Sequence, residues 1–249
     1  MFPLTRVLVL SDNTFLLEGF RDIVHRQNCH ASFTYRQSPS GPHDVSKTRP
    51  SDLPCLDIRK ACQDVIKNYD LILSLHSKQV FPKEVVEHVR CVNIHPGYNP
   101  HNRGWFPQVF SLCNGLPAGV TIHEMDAQID HGDIIYREEI FLCAHDDSLS
   151  AYQKILNKEL EMLEAHLVDI VDHTYTVRKP EKEGNINFKK DYYKLCHLDL
   201  QETLTMGEAI NRLRALTHGD YDNAYFLDTQ GKKIYVRLHL YPEDANSTP

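Results

Sequence analysis

No run of apolar residues in this 249-residue chain approaches the roughly 18 that a bilayer-spanning helix needs, so a membrane is not expected among its partners. Basic charge is short as well. Lysine and arginine number 27 against 34 aspartates and glutamates, a formal charge of −7, which argues against a broad nucleic-acid surface. The N-terminus, Met1-Phe-Pro-Leu-Thr-Arg6, has no basic stretch followed by an apolar one, and the expected location is the cytoplasm. Several signatures are missing too. There is no Gly-x-Gly-x-x-Gly turn for a dinucleotide, no Gly-Lys-Ser/Thr phosphate loop, no Gly-x-Ser-x-Gly elbow and no Cys-x-x-Cys. His123-Glu124 begins like a zinc-protease helix, but position 127 is alanine and the segment reads as a strand, so no metal is expected.

What is present suits a folded globular protein. Apolar residues make up 41% and charged residues 24%, and the length allows one large domain with a small appendage. The seven cysteines, at 29, 55, 62, 91, 113, 143 and 196, are odd in number and not tightly paired, so reduced, buried thiols are expected.

Thr5–Leu10 is a β-branched and aliphatic run that predicts a buried strand. Ser11-Asp12-Asn13 then offers cap residues, and Leu16, Phe20, Ile23 and Val24 recur at helical spacing. A second strand at 31–35 precedes a loop, 37–54, with four prolines. A helix over 57–69, a strand over 70–75 and a short helix over 82–88 follow. Strand, helix, strand, helix, strand with short connections predicts a Rossmann-like parallel sheet with helices on both faces. Ser150-x-x-Gln153 reads as the cap of a long amphipathic helix reaching about Asp172. The charged stretch 178–184 reads as a linker, so the expected division is a domain over 1–180 and an extension over 181–249. In that extension Thr205-x-x-Glu208 caps a helix, and strands at 224–228 and 234–240 form a hairpin.

The segment with chemistry in it is Cys91-Val-Asn-Ile-His-Pro-Gly97. Side chains alternate along a strand, so Asn93 and His95 share one side, and Pro96 ends the strand just beyond them. Ligands of open α/β sheets bind at that end of the strands. A second stretch, Gly119–Ile135, reads as strand, acidic loop and strand.

Taken together, Asn93-Ile-His95-Pro, Arg103-Gly104, Gly119-Val-Thr-Ile-His123, Met125-Asp126 and Ile129-Asp130-x-Gly-Asp-Ile-Ile135 resemble the folate-dependent formyltransferase family. The resemblance covers residues 70–142 closely and the C-terminus more weakly. It implies formyl transfer from N10-formyltetrahydrofolate to an amine, with Asn93, His95 and Asp130 as the catalytic residues. It also places the folate against Gln79, Val80 and Phe81 and against Asp126, Ala127, Ile129 and Asp130, chiefly through backbone groups. Formyl transfer needs a donor at the carbonyl oxygen, which Asn93 and His95 can supply, and a proton acceptor for the amine, for which both His95 and Asp130 are candidates.

Within that family, a tRNA-acting enzyme would carry a larger basic C-terminal domain, and a ribonucleotide-acting one a glycine-rich phosphate loop and no tail. Ser77-Lys-Gln-Val-Phe-Pro82 and His101-Asn-Arg-Gly-Trp105 are instead similar to enzymes that formylate dTDP-4-amino-4,6-dideoxyglucose. That likeness implies a dTDP-linked amino sugar as partner, a C-terminal homodimer and a product used in O-antigen lipopolysaccharide. Substrate contacts would come from Asn13, Lys78, Arg103 and Trp105. Plainer roles stay open for these four: a helix cap for Asn13, solvated charge for Lys78 or Arg103, and a core anchor for Trp105. Methionyl-tRNA or a 3-amino sugar as acceptor, or a non-catalytic binding module, are the alternatives.

Overall fold

The structure is a computed structural model that describes residues 4–27, 29–39, 50 and 52–243. Its centre is a six-stranded sheet in the order β2-β1-β3-β4-β6-β7, from β1 (Thr5–Ser11), β2 (Ala31–Arg36), β3 (Leu71–Leu75), β4 (Arg90–His95), β6 (Ala118–Glu124) and β7 (Ile134–Ile140). The first four strands are parallel. The last two depart from the all-parallel expectation: β6 runs antiparallel to β4, and β7 antiparallel to β6. The chain between β6 and β7 holds no crossover helix, so β7 can only return beside β6 in the opposite sense.

Strand alternation sorts the core into two layers. Val7, Val9, Leu73, Val92 and Ile94 pack against α1 (Thr14–Arg26) and the long α5 (Ser148–Asp172). Leu8, Leu10, Ile72 and Cys91 pack with Val65 of α2 (Cys62–Asn68) and Val85 of α3 (Lys83–His88). A sheet covered on both faces reads as continuous aliphatic sequence, as β1 and β3 do. Asn93 and His95 therefore stand on the α2/α3 side, at the exposed end of β4.

Several boundaries shift. The α2 helix starts only at Cys62, after a turn. The cap of α5 is Asp147, whose side chain accepts from the Ser150 N–H while Ser150 answers the Asp147 N–H, one turn ahead of the Ser150–Gln153 pair expected from the sequence. Gly115 ends α4 (Pro107–Asn114) in the left-handed conformation, as its residue type predicts. All seven cysteines are free; two are buried and Cys55 is exposed, so burial is less general than expected. Residues 40–49 and 51 of the proline-rich loop lie outside the described residues.

The stretch after α5 is not a loose tether. Arg178 bridges to Ile134, and β8 (Ile186–Asn187) pairs with β5 (Arg103–Gly104), so residues 178–187 are tied to the sheet edge at one end and to the Arg103 segment at the other. Then come α6 (Lys189–Cys196), which the sequence reading missed, α7 (Met206–Leu216), and the hairpin of β9 (Ala224–Leu227) with β10 (Lys233–Val236). The expected Thr205–Glu208 capping box is present. Ala215, Leu216 and Ala224 close a small core with Val109 and Leu112 of α4. No helix among the described residues is long and apolar enough to cross a membrane.

Candidate active site

Asn93, His95 and Asp130 meet at the tip of β4. Asp130 comes from the β6–β7 loop and sits at φ +48°, a left-handed conformation that aspartate tolerates better than most residues. Its Oδ1 accepts from Asn93 Nδ2 at 3.0 Å, and its Oδ2 accepts from the Gly104 N–H at 3.1 Å while lying 3.6 Å from His95 Nδ1. Asn99 Nδ2 donates to the Asp130 carbonyl at 3.0 Å and fastens the loop.

Strand register explains two further members. Asn93 pairs with His123 and His95 with Thr121 across β4 and β6. His123 Nδ1 lies 2.7 Å from the Glu124 carbonyl, which can only accept, so the hydrogen is on Nδ1 and Nε2 accepts from Asn93 Nδ2 at 3.3 Å. Both hydrogens of the Asn93 amide are thus engaged, and a formyl oxygen has to take one over. The longer bond, to His123, is the cheaper one to exchange. Thr121 accepts from the Asn99 N–H and donates to the Gly97 carbonyl, which shapes the turn after His95.

Electrostatics sets the protonation states. Burial lowers the His95 imidazole to about 4, although Asp130 pulls the other way. At 3% exposure desolvation outweighs the pull of the carboxylate. Burial would raise Asp130, but His95, His123 and the Gly104 N–H outweigh it and hold its carboxyl well below the usual range. At neutral pH the site is therefore a carboxylate beside a neutral imidazole. His95 Nε2 is buried without a partner and is a polar atom left for a reacting group. Gly97 lies against it. A Cβ there would come 2.5 Å from Nε2, so glycine is required for space.

The expected folate positions lie on two loops. The Gln79 side chain is used up, accepting from the Ile58 N–H at 2.8 Å and donating to the Leu56 carbonyl at 2.9 Å. Val80 is exposed and Phe81 is buried in the α2/α3 core. Asp126 accepts from Gln128 and contacts His131 at 2.6 Å, with Ala127 and Ile129 exposed on the loop surface. These side chains fasten or flank the two loops, which fits recognition of a flat heterocycle by backbone edges.

The four expected substrate contacts are distributed differently. Asn13 caps α1 through Leu16 and donates to Tyr152 Oη at 2.9 Å, so its polar atoms are spent on the fold. Lys78 is exposed, and its N–H donates to Asp12. Arg103 is 5% exposed, with Nη2 on Glu183 at 2.9 Å and Nε unpartnered. Trp105 is 37% exposed with Lys189 Nζ 5.2 Å from its ring centre, so it is not a core anchor. The sequence reading overlooked the site roles of Thr121, His123 and Asn99. Period-two alternation in Gly119–His123 was the available signal for the first two.

With this geometry in place, similarity to known proteins assigns the class. A formyl transferase model matches residues 44–167, and a model of the N-formyltransferase dimerization C-terminal domain matches residues 191–242. The chain belongs to the formyltransferase family. It is 44% identical over 237 residues to the dTDP-4-amino-4,6-dideoxyglucose formyltransferase of Mycobacterium tuberculosis, covering 95% of this chain and 97% of that one. Among solved structures, a 4-N formyltransferase from Francisella tularensis superposes with a TM-score of 0.89 at 42% identity, covering 97% and 100% of the two chains. A sugar 3N-formyl transferase crystallised with dTDP and 5-N-formyl-THF shares the fold, with a TM-score of 0.71 at 16% identity over 92% and 84% of the two chains.

Proposed function

We propose that this enzyme transfers the formyl group of N10-formyltetrahydrofolate to the amino group of a dTDP-linked amino sugar, dTDP-4-amino-4,6-dideoxyglucose. The observation that carries the reading is the convergence of Asn93, His95 and Asp130, from a strand tip and a later loop, with Asn93 and His95 both directed at one carboxylate. The folate, held by the loops at 79–81 and 126–130, supplies an activated one-carbon unit. Asn93 donates to the formyl oxygen as charge gathers on it, such a donor being worth about 2.7–4 kcal/mol, and His95 presents its unpartnered Nε2 as a proton acceptor. The Asp130 carboxylate attracts the ammonium of the acceptor and orients Asn93. Near-complete coverage of the 44%-identical relative supports the sugar acceptor.

On this reading Lys78 meets the diphosphate at the surface, Arg103 exchanges Glu183 for a phosphate oxygen, and Trp105 flanks the base or the sugar. Residues 1–180 form the catalytic domain. The extension, 181–249, joins two copies, consistent with exposed Tyr193, Leu200 and Met206. The enzyme works in the cytoplasm and its product feeds O-antigen lipopolysaccharide. The test is folate-dependent gain of one formyl group by the dTDP-sugar, read by mass. Formylation of initiator tRNA with none of any dTDP-amino sugar would overturn the substrate assignment.

A further inference from the structure

Arg103 is only half satisfied by its surroundings. Its side chain is buried, Nη2 donates to Oε1 of Glu183 at 2.9 Å, and Nε has no partner. A guanidinium edge of that kind fits two oxygens of one phosphate, whereas the Glu183 carboxylate meets only one of its donors. Glu183 is therefore a counter-charge that a sugar diphosphate can displace, and where it goes next depends on its other neighbour.

The second oxygen of Glu183, Oε2, lies 3.6 Å from Nε2 of His131, just beyond hydrogen-bond distance. His131 Nδ1 lies 2.6 Å from Oδ2 of Asp126, and His131 directly follows Asp130, so the ring belongs to the loop expected to hold the folate. Two ties thus join that loop to the Arg103 segment. One is direct, from the Gly104 N–H to Asp130 Oδ2 at 3.1 Å, and the other runs from Arg103 through Glu183 to His131. The second tie is the adjustable one. Around Glu183 the backbone is pinned: the Arg103 N–H donates to the Asn185 carbonyl at 3.0 Å, the Asn185 N–H donates to the Pro100 carbonyl at 3.3 Å, and a Cβ on Gly184 would collide with that same oxygen. The Glu183 side chain, by contrast, is 71% exposed and has room to turn. Asp130 is what such a turn reaches, because an aspartate at φ +48° keeps its conformation only where its surroundings hold it.

We propose that Glu183 and His131 are positioning residues that couple the two substrate sites: a diphosphate arriving at Arg103 drives Glu183 onto His131, and His131, then held from both sides, fixes the 126–130 loop against the folate. This rests on the dTDP-sugar reading above. Like charge separates the phosphate from the Glu183 carboxylate, and the His131 ring is the neighbour already within reach. Closing 3.6 Å to the roughly 2.8 Å of a charge-assisted bond takes only a small rotation of the side chain. Each ring nitrogen of His131 then faces a carboxylate, which only accepts, so the imidazolium is the form that donates to both; at 30% exposure the ring exchanges that proton with solvent. The charged groups around it are Asp126 and Asp130 of its own loop and Glu183 of the 178–187 stretch, with Arg103 of β5 behind Glu183. Coupling of this kind is reciprocal, so bound folate strengthens diphosphate binding by the same factor.

The test is calorimetric titration of the full-length enzyme with 5-formyltetrahydrofolate, alone and with saturating dTDP. It compares wild type, Glu183→Gln, His131→Ala and, as a control on the same stretch, Glu181→Gln, whose partner is Arg137. In wild type dTDP is expected to tighten folate binding about tenfold. Glu183→Gln and His131→Ala should each bring that factor to about one, and only Glu183→Gln should bind dTDP more tightly without folate, since Arg103 then has no carboxylate to give up. Glu181→Gln should keep the wild-type factor. Wild-type folate affinity that ignores dTDP overturns the proposal, as does a factor that survives in Glu183→Gln or His131→Ala, or one lost equally in Glu181→Gln. Variants that melt earlier and bind both ligands more weakly, with the factor intact, show a structural role only and overturn it too. If Glu183→Gln does not fold, His131→Ala decides. A wild type that binds no dTDP sinks the dTDP-sugar reading along with the coupling, whereas dTDP binding without effect on folate sinks the coupling alone.

Discussion

Between Asn93 and Asp130 the chain buries polar groups and ties many of them to one another; between Lys189 and Tyr241 it leaves large apolar side chains in water. At the sheet tip, His95, Asn99, Thr121 and His123 are nearly inaccessible, and a carboxylate, an amide and two imidazoles share a few hydrogen bonds. In the extension, Met206 is 76% and Leu200 64% exposed, and its core consists of small or peripheral residues. The first arrangement spends stability on preorganised polarity, which is useful only if something reacts there. The second withholds burial that a second surface can supply, because a two-stranded hairpin and two short helices are marginal alone.

That contrast can be broken most sharply at the tip. Asn93→Ala and Asp130→Asn are each expected to lower kcat by at least about 10³-fold with little change in melting temperature. Near-wild-type turnover in either would show that the buried polar cluster is structural. Next in size, Leu216→Ala should cost about 2–4 kcal/mol in urea unfolding, because it opens the small core that the extension shares with α4, whereas Met206→Lys on its outer face should leave monomer stability within about 0.5 kcal/mol. Met206→Lys should instead weaken self-association in sedimentation velocity. An unchanged sedimentation coefficient across concentrations would remove Met206 from the interface.

Gly97→Ala sharpens the comparison from the site's side. Its Cβ would meet His95 Nε2, and displacing that ring is expected to cost about 10²-fold in kcat with the fold intact. The smallest effect is a pH dependence of stability. His95 is lowered from 6.5 to about 4 by burial, so the unfolded chain takes up that proton first on acidification. The contribution is fully present above about pH 6.5 and is lost as pH falls toward 4, on the order of 2 kcal/mol of it by about pH 5. Urea midpoints at pH 7.5 and 5 should therefore converge in His95→Gln relative to wild type. Equal acid sensitivity in both proteins would mean the ring is not desolvated as described.

Much of the polar cluster at the tip of β4 was legible in the residues. Asn93 and His95 were readable because two-residue alternation and a proline stop are local properties of a strand, and Asp130 because its loop carries a recognisable pattern. The Thr205–Glu208 cap and the glycine that ends α4 are local too. The surroundings were less legible. Asn13 looked equally suited to a phosphate and to a cap, and only the position of Tyr152, 139 residues later, settled where its amide goes. Arg103 looked like a free cation until Glu183 of the supposed linker came beside it.

The sequence by itself determined the main strands, the Thr205 cap and the three polar side chains at the tip of β4, because each depends on periodicity or on neighbours within a few residues. Tertiary structure decided their charge states and their company. Burial makes His95 neutral against the pull of an adjacent carboxylate, and the pairing of β8 with β5 sets Glu183 between Arg103 and His131. Desolvation and long-range contact depend on the whole fold, so no local stretch of residues encodes them.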